Sequence, residues 1–204
     1  MNPLLYKLAH YVYKLTGHIV CRFYMSYWAL RDKISPPKEK AILFVAHPDD
    51  DTLFFHTFIK KHKPYVVLMT TGWSLRRFPD FRKAMRWYGV RYRAFDMETN
   101  DTRIDLLNKR IKYILDSGCF EKVVTHNSTG EYGHEMHKKV HDAVCEVSNI
   151  RPFCPVSAKE ITNYPLEDKI ISEKREIFKI IYTTESWVLD EDIDWVENEK
   201  LIAL

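Results

Sequence analysis

The chain has 204 residues, of which 46% are hydrophobic and 29% are charged, and its formal net charge is +3. This composition is ordinary for a globular chain with one sizeable core, and it excludes collagen-like and disordered chains. The net charge is too small to indicate nucleic-acid binding, and no motif of that kind is present. The four cysteines are widely spaced without a CxxC pair, so we expect reduced thiols and a cytoplasmic location.

Residues 1–34 are predicted to form an amphipathic helical extension. Its apolar stretch, residues 4–31, is interrupted by Lys7, Lys14 and Arg22, so no run is long enough to span a membrane. Two interpretations stay open. The helix either packs on the core of its own domain, or lies on the inner membrane face with its basic residues towards anionic lipid. The oligomeric state is not predicted.

Residues 38–204 are predicted to form a single α/β domain, because apolar strand patterns alternate with helical ones. The predicted strands are 41–46, 65–70, 91–97 and 122–125. The predicted helices are 53–61, 76–90 (ended by Gly89), 101–115, 133–147 and 169–182. Continuous apolar strands indicate a mostly parallel sheet within a Rossmann-like three-layer sandwich. Ligands bind such sheets beyond the carboxyl ends of the strands, so we expect binding or catalytic residues directly after the strands.

The segment after the first strand reads Ala46-His47-Pro48-Asp49-Asp50-Asp51. His47 and Asp50 are candidate metal ligands, held on a tight turn by Pro48. The alternative is an acidic helix start at which Asp51 caps the first turn. Three consecutive carboxylates repel one another, however, and a bound cation would relieve that repulsion.

A second cluster follows the fourth strand. His134, His137 and His141 share one helical face because their spacing is i, i+3 and i+7. Alone they could be a solvated stripe, and His56 and His126 are interpreted as ordinary polar residues. Combined with the first cluster, two histidines and a carboxylate leave one position for water, as catalytic zinc sites do. The same ligand types serve non-haem Fe(II) enzymes, so Fe²⁺ is the alternative metal, although those enzymes normally use β-barrel frameworks.

These motifs resemble those of the PIG-L/LmbE-type zinc-dependent N-acetylglucosamine deacetylases. Residues 46–50 are similar to the AHPDD signature of that family, and His134-Glu-Met-His137 is similar to its second metal motif. The resemblance covers roughly residues 40 to 185. Intermediate positions keep the family spacing, namely Thr71-Gly72, Arg77-Phe-Pro-Asp80, Ala84 and Tyr88-Gly89.

The chain departs from the family pattern at four positions. Asp51 and Asp80 stand where the family has Glu, and Tyr88 stands where it has Leu. Asn127 stands where many relatives have Asp, so the group that orients a histidine is expected to be weaker or neutral here.

The resemblance implies one Zn²⁺ per chain, bound by His47, Asp50 and His137. It also implies that Asp49 is the general base, and the residues agree, since this carboxylate adjoins a ligand and can take a proton from water. The implied reaction is de-N-acetylation of an amino sugar or sugar conjugate, releasing acetate and a free amine, in glycan or glycolipid biosynthesis.

The remaining implied roles concern three residues around the metal. His134 would protonate or stabilise the oxyanion, and we expect it to be cationic for that purpose. Arg77 would contact the polar substrate, and Tyr132 would border the active site. The alternative is a sugar- or nucleotide-binding module without catalysis, but binding alone needs neither a free base nor an acid.

Overall fold

The computed structural model describes residues 16, 19–20, 22–27, 36–71, 77–97 and 103–204. Its strands are β1 Ala41–Val45, β2 Tyr65–Thr70, β3 Tyr92–Met97, β4 Lys122–Val124, β5 Phe153–Pro155 and β6 Leu201–Ala203. They form one sheet in the order β3-β2-β1-β4-β5-β6. The first five strands pair in parallel, whereas β6 pairs antiparallel to β5. The predicted α/β fold with a mostly parallel sheet is therefore confirmed.

Helices cover both faces of this sheet. They are α1 Asp50–His62, α2 Arg77–Tyr88, α3 Ile104–Asp116, α4 Glu135–Val147, α5 Asp168–Ile180, α6 Val188–Glu191 and α7 Ile193–Glu197. Apolar side chains of α1, α2 and α5 pack on one face, and those of α3 and α4 pack on the other. The result is three layers with a core on each side of the sheet.

The central strand shows why the sheet is buried. All five residues of β1 are buried, with Leu43 and Val45 in one core and Ile42 and Phe44 in the other. Side chains of a strand alternate between its faces, so a strand covered by helices on both sides needs an uninterrupted apolar run. The sequence Ala-Ile-Leu-Phe-Val meets this requirement.

The ends of two helices test the sequence predictions. Gly89 has φ 65°, and its N–H donates to the carbonyl of Arg86, so it ends α2 as predicted. Helix α1 begins at Asp50, earlier than predicted, and the residue at its N-cap is Asp49, whose side chain makes no capping bond. The expectation that Asp51 caps this helix is wrong, because its carboxylate instead accepts the hydroxyl of Tyr182.

Four elements near the C-terminus were not predicted. Strands β5 and β6 have three residues each, and helices α6 and α7 have four and five. Elements this short do not complete enough periods for an apolar pattern to be read. Strand β5 also ends in Pro155, which removes a typical strand signal.

The N-terminal extension is described in part. Residues 22–27 are helical, and Tyr24 and Met25 pack against the core on the α1 side. Lys7 and Lys14, on which the interfacial interpretation depends, lie outside the described residues, whereas Arg22 pairs with Asp96. Among the described helices, none combines the length and hydrophobicity that crossing a membrane requires.

Candidate metal centre

The candidate site lies where β1 and β4 are neighbours. The chain leaves β1 into α1 on one face of the sheet and leaves β4 towards α4 on the other. This divergence opens a crevice at the carboxyl ends of the two strands, which is where ligands bind in such folds. Residues 46–51 and 125–137 border the crevice, so both sequence motifs reach the same place.

The structure brings the three predicted ligands together. His47 Nδ1 is 3.1 Å from His137 Nε2 and 3.5 Å from Asp50 Oδ2, and His137 Nε2 is 3.4 Å from Asp50 Oδ1. With metal–ligand bonds of about 2.1 Å, the ligand atoms of a tetrahedral site lie about 3.4 Å apart. His47 Nε2 is buried without a hydrogen-bond partner among the described residues. The separations of His47 Nδ1, His137 Nε2 and the two Asp50 oxygens fit a zinc-sized cation.

Two overlapping donor groups could hold a cation. One comprises His47, His134 and His137, and the other comprises Asp50, His126 and His137, all of which are buried except His134. His126, interpreted from sequence as an ordinary polar residue, thus belongs to the site. The missed signal was its position, because it follows β4 closely at the carboxyl edge of the sheet.

Both ring nitrogens of His126 have polar contacts. Its Nδ1 lies 3.0 Å from a carboxylate oxygen of Glu131, which can only accept, so the proton is on Nδ1. Its Nε2 accepts the backbone N–H of Ala46 at 3.0 Å. Because both nitrogens are engaged, His126 ties the end of β1 to the loop after β4.

Glu131 is the second residue that the sequence interpretation missed. Its Oε2 accepts from Nδ1 of His137 at 2.6 Å and from Nδ1 of His126 at 3.0 Å. Burial favours the protonated acid, but the two histidines outweigh burial and lower the pKa of Glu131 to about 2. A carboxylate that holds the proton of His137 on Nδ1 directs the lone pair of Nε2 towards Asp50 and His47, as in other histidine–metal sites.

The loop that carries Glu131 depends on unusual backbone angles. Gly130 has φ 71° and Glu131 has φ 56°. A Cβ atom on Gly130 would lie 2.5 Å from the carbonyl oxygen of His134, so only glycine fits there without movement. Asn127 closes the loop, since its Oδ1 accepts the N–H groups of Thr129 and Glu131. The expectation of a neutral or weaker support is corrected, because Glu131 supplies the charge while Asn127 shapes the loop.

The charges of the site act strongly on His137. Burial lowers its pKa, but Asp50 and Glu131 outweigh burial and raise the value to about 10. The same negative surroundings that hold a proton on this imidazole attract a metal cation, which replaces the proton when it binds.

Adjacent carboxylates are driven to opposite protonation preferences. Burial and the charge of Asp50 raise the pKa of Asp49 well above its ordinary value, against the influence of Arg77. Burial also acts to raise the pKa of Asp50, but His137 and His126 lower it well below the usual range. Such a division between paired carboxylates is typical of a ligand beside a base.

Asp49 is held in a strained conformation. Its φ of 101° is rare for a residue other than glycine. Its N–H donates to Asp51 Oδ1 at 3.3 Å, and the same oxygen accepts the hydroxyl of Tyr182 at 2.6 Å. Strain of this kind persists only where neighbouring contacts enforce it, and it is concentrated at functional sites.

His134 lies at the N-cap of α4, with its ring stacked on His137. Its Nδ1 accepts the N–H of Met136 at 3.2 Å, which leaves the proton on Nε2. Burial, together with His47 and His137, lowers the pKa of His134 to about 4. The geometry thus favours a neutral N–H donor over the cation expected from sequence.

Arg77 and Tyr132 lie at the rim of the crevice. Arg77 Nη2 donates to the carbonyl of Pro48 at 3.1 Å and lies 3.3 Å from Asp49 Oδ1. The Tyr132 ring is 48% exposed, with its centroid 5.6 Å from that of His137. Tyr132 therefore borders the site, whereas Arg77 contacts the proposed base, and substrate contact by Arg77 stays a prediction.

The two other histidines of the sequence analysis are not among these donors. His141 donates from Nδ1 to the backbone carbonyl of His126 at 2.7 Å, so it supports the loop from behind. His56 is buried and bonds the hydroxyl of Tyr88.

Comparison with solved structures supports the fold. No known family model matches the chain. The chain is 22% identical over 190 residues to the uncharacterised protein L374 of Acanthamoeba polyphaga mimivirus, covering 82% of this chain and 81% of the viral protein. It is similar in structure to GalB, the 4-carboxy-2-hydroxymuconate hydratase of Pseudomonas putida KT2440, with a TM-score of 0.52 and 12% identity, covering 78% of this chain and 82% of GalB. The chain thus shares an α/β fold with a known enzyme and contains a buried Asp50–His126–His137 group that could hold a metal ion.

Proposed function

We propose that this protein is a zinc-dependent hydrolase that removes the acetyl group from an N-acetylated amino sugar or sugar conjugate. The observation that carries the proposal is the convergence of His47, Asp50 and His137 beside the carboxylate of Asp49. His47 Nδ1 lies 3.1 Å from His137 Nε2, and the two oxygens of Asp50 lie 3.5 and 3.4 Å from these nitrogens. Three ligands leave a coordination position open, which distinguishes catalytic from structural zinc sites.

The ligand side of the site is prepared before any substrate binds. Glu131 keeps the proton of His137 on Nδ1, and His126 ties the Glu131 loop to β1. When bound, zinc supplies an activated water and polarises the amide oxygen of the substrate. Because the coordinating atoms are buried, their orientation is fixed by the protein rather than by solvent.

The chemical steps on the protein side fall to Asp49 and His134. Asp49 accepts the proton of the attacking water and then returns it to the nitrogen of the leaving amine, so the base is regenerated. Its contact with Arg77 Nη2 fixes the direction of the carboxylate. His134 Nε2–H donates a hydrogen bond to the tetrahedral oxyanion, which needs a donor more than a charge.

The rim of the site supports a sugar-containing substrate. Tyr132 and Trp187 are aromatic and about half exposed, and Trp187 Nε1 donates to Glu185, which in turn pairs with Arg77. Exposed rings beside charged side chains can contact both the apolar face and the hydroxyl groups of a sugar.

The decisive experiment measures acetate release by zinc-loaded protein from a panel of N-acetylated sugars, nucleotide sugars and lipid-linked sugars. We expect release from at least one member, and Asp49→Asn is expected to slow it by about 10²–10⁴-fold with unchanged zinc content. Folded, zinc-loaded protein that releases acetate from no member of the panel would contradict the proposal. Metal analysis after anaerobic purification distinguishes zinc from iron.

A further inference from the structure

A second cavity lies at the edge strand of the sheet, outside the metal centre. It has a volume of about 360 Å³ and lies between residues 22–26 of the N-terminal helix, strand β3 and helices α2 and α3. Three arginines and one carboxylate line it, namely Arg22, Arg93, Arg110 and Asp96. We call this cavity the arginine pocket. Its charged lining has an excess of two positive charges.

The carboxylate of Asp96 accepts hydrogen bonds from two of these three arginines. Its Oδ2 accepts Nε of Arg22, and its Oδ1 accepts Nη2 of Arg110 at 3.0 Å. Arg110 Nη1 is buried and has no hydrogen-bond partner among the described residues. A buried donor without an acceptor is costly, and an anion in the cavity would supply the acceptor.

The guanidinium groups are held in place by an aromatic ring. The carbon of the Arg110 guanidinium lies 4.9 Å from the centre of the Phe95 ring, and that of Arg93 lies 5.8 Å from it. Arg93 has no carboxylate partner among the described residues. Both guanidinium groups line the pocket, and each is a planar group that can donate two parallel hydrogen bonds to the oxygens of a phosphate.

The arginine pocket lies along the edge strand β3, whose carboxyl end is on the same side of the sheet as the metal centre. Asp96 lies near the carboxyl end of β3, and two strand spacings, about 10 Å, separate β3 from β1. Phe78 lines the pocket and directly follows Arg77, which contacts Asp49. An elongated ligand bound at the metal centre would reach the pocket by passing the start of α2.

We propose that the arginine pocket binds a phosphoryl group, the phosphate or diphosphate that joins the substrate sugar to its carrier. The identification of this anion as part of the substrate rests on the proposed deacetylase function. Anion binding itself does not, because the pocket residues are separate from the metal ligands.

The test is calorimetric titration of the full-length chain with pyrophosphate, both with its metal and after chelation. We expect the same affinity in both states, about a tenfold loss in Arg93→Gln and in Arg110→Gln, and a gain in Asp96→Asn, which removes the opposing charge. Arg151→Gln, an exposed arginine outside the pocket, is the matched control and should bind as the parent does. A merely structural role of the four residues would not predict opposite signs for arginine and aspartate variants.

Several outcomes overturn this proposal. Absence of pyrophosphate binding at millimolar concentration does so, and so does binding that disappears on chelation, because the anion would then be at the metal. Equal affinity of Arg93→Gln and the parent is equally decisive, and this variant leaves the Asp96 ion pairs intact. These readouts need no deacetylase activity, so failure here is distinguishable from failure of the proposed function.

Two further binding experiments distinguish the possible sources of the phosphoryl group. Uridine diphosphate represents a soluble carrier, and vesicles containing an anionic phospholipid represent a lipid carrier. If uridine diphosphate competes with pyrophosphate for the parent protein and not for Arg93→Gln, the carrier is a nucleotide. If the vesicles float with the parent protein and not with Arg93→Gln, the carrier is a lipid. Binding of neither uridine diphosphate nor the vesicles would contradict the assignment to a substrate carrier.

Discussion

Two clusters of buried ionisable groups touch helix α1, one at its first turn and one at its middle. At the first turn, the carboxylates of Asp49 and Asp50 are adjacent, and His47 Nε2 has no partner among the described residues. At the middle, Lys174 Nζ donates to the carbonyls of Leu53 and Trp195 at 2.9 and 2.6 Å. Glu199 accepts the N–H groups of Thr57 and Phe58 there.

The difference between the clusters lies in how completely their ionisable groups are paired. Lys174 is fully buried, yet backbone carbonyls satisfy it, so that cluster fastens α5 and α7 to α1. In the first-turn cluster, His47 Nε2 has no partner among the described residues, and the carboxylates of Asp49 and Asp50 repel each other. This arrangement is unfavourable unless a cation binds. Buried charge alone therefore does not indicate function, whereas incomplete pairing around a crevice does.

The largest effect on the first-turn cluster is expected for Asp50→Asn. We expect metal affinity to fall by at least about 10²-fold, because an amide is a poor ligand and weakens the field at His137. The thermal midpoint of the metal-free protein should change less than the metal affinity does, since asparagine keeps an oxygen that can accept the backbone N–H of His47. Metal titration and thermal unfolding of the chelated protein measure the two effects. Unchanged metal content would show that Asp50 is not a ligand.

Glu131→Gln tests the residue that orients His137 and leaves the candidate metal ligands unchanged. Glutamine has the same size, but its neutral oxygen accepts the two histidine N–H groups more weakly than the carboxylate oxygen Oε2 does. Its N–H₂ group would also face the backbone N–H of Asn127, which donates to Oε1 of Glu131. We expect about a 10–100-fold loss of metal affinity while the ligand residues stay intact. Competition with a chromophoric chelator measures this loss, and retention of parent affinity would mean that His137 is oriented by its helix alone.

Lys174→Met tests the completed cluster. We expect metal content to be unchanged and the free energy of unfolding at pH 7 to fall by about 3 kcal/mol, because one partner of a buried network is removed. Burial lowers the pKa of Lys174 to about 8, although Glu199 opposes this. The unfolded lysine titrates near about 10.4, so the unfolded chain holds more protons between pH 8 and 10 and stability rises with pH in that range. Urea unfolding at several pH values should show this rise in the parent and not in Lys174→Met.

The smallest expected effect comes from Tyr182→Phe at the first turn. Loss of the hydroxyl removes one bond to Asp51, which should lower the free energy of unfolding by about 1 kcal/mol. Because Asp51 also accepts the N–H of Asp49, the rate of acetate release should fall several-fold at unchanged metal content. An unaltered rate with the expected stability loss would limit this contact to a structural role.

Much of the fold and the place of the candidate site could be predicted from sequence because both depend on local patterns. The apolar run of β1 predicted a strand covered on both faces, and the positions of His47 and Asp50 directly after it predicted the crevice. Glu131 could not be found in this way, since its role depends on left-handed backbone angles that turn it inwards. Lys174 did carry a signal, because it stands on the apolar stripe of α5 with Ile177 and Phe178.

The glycine at position 130 extends the set of residues on which metal binding depends. Any side chain there would press on the carbonyl of His134 and displace both the loop of Glu131 and the start of α4. A Gly130 variant is consequently expected to be isolated as a folded but metal-poor protein, although every candidate ligand is encoded unchanged. A raised metal concentration should partly rescue it, because the ligand side chains themselves are intact.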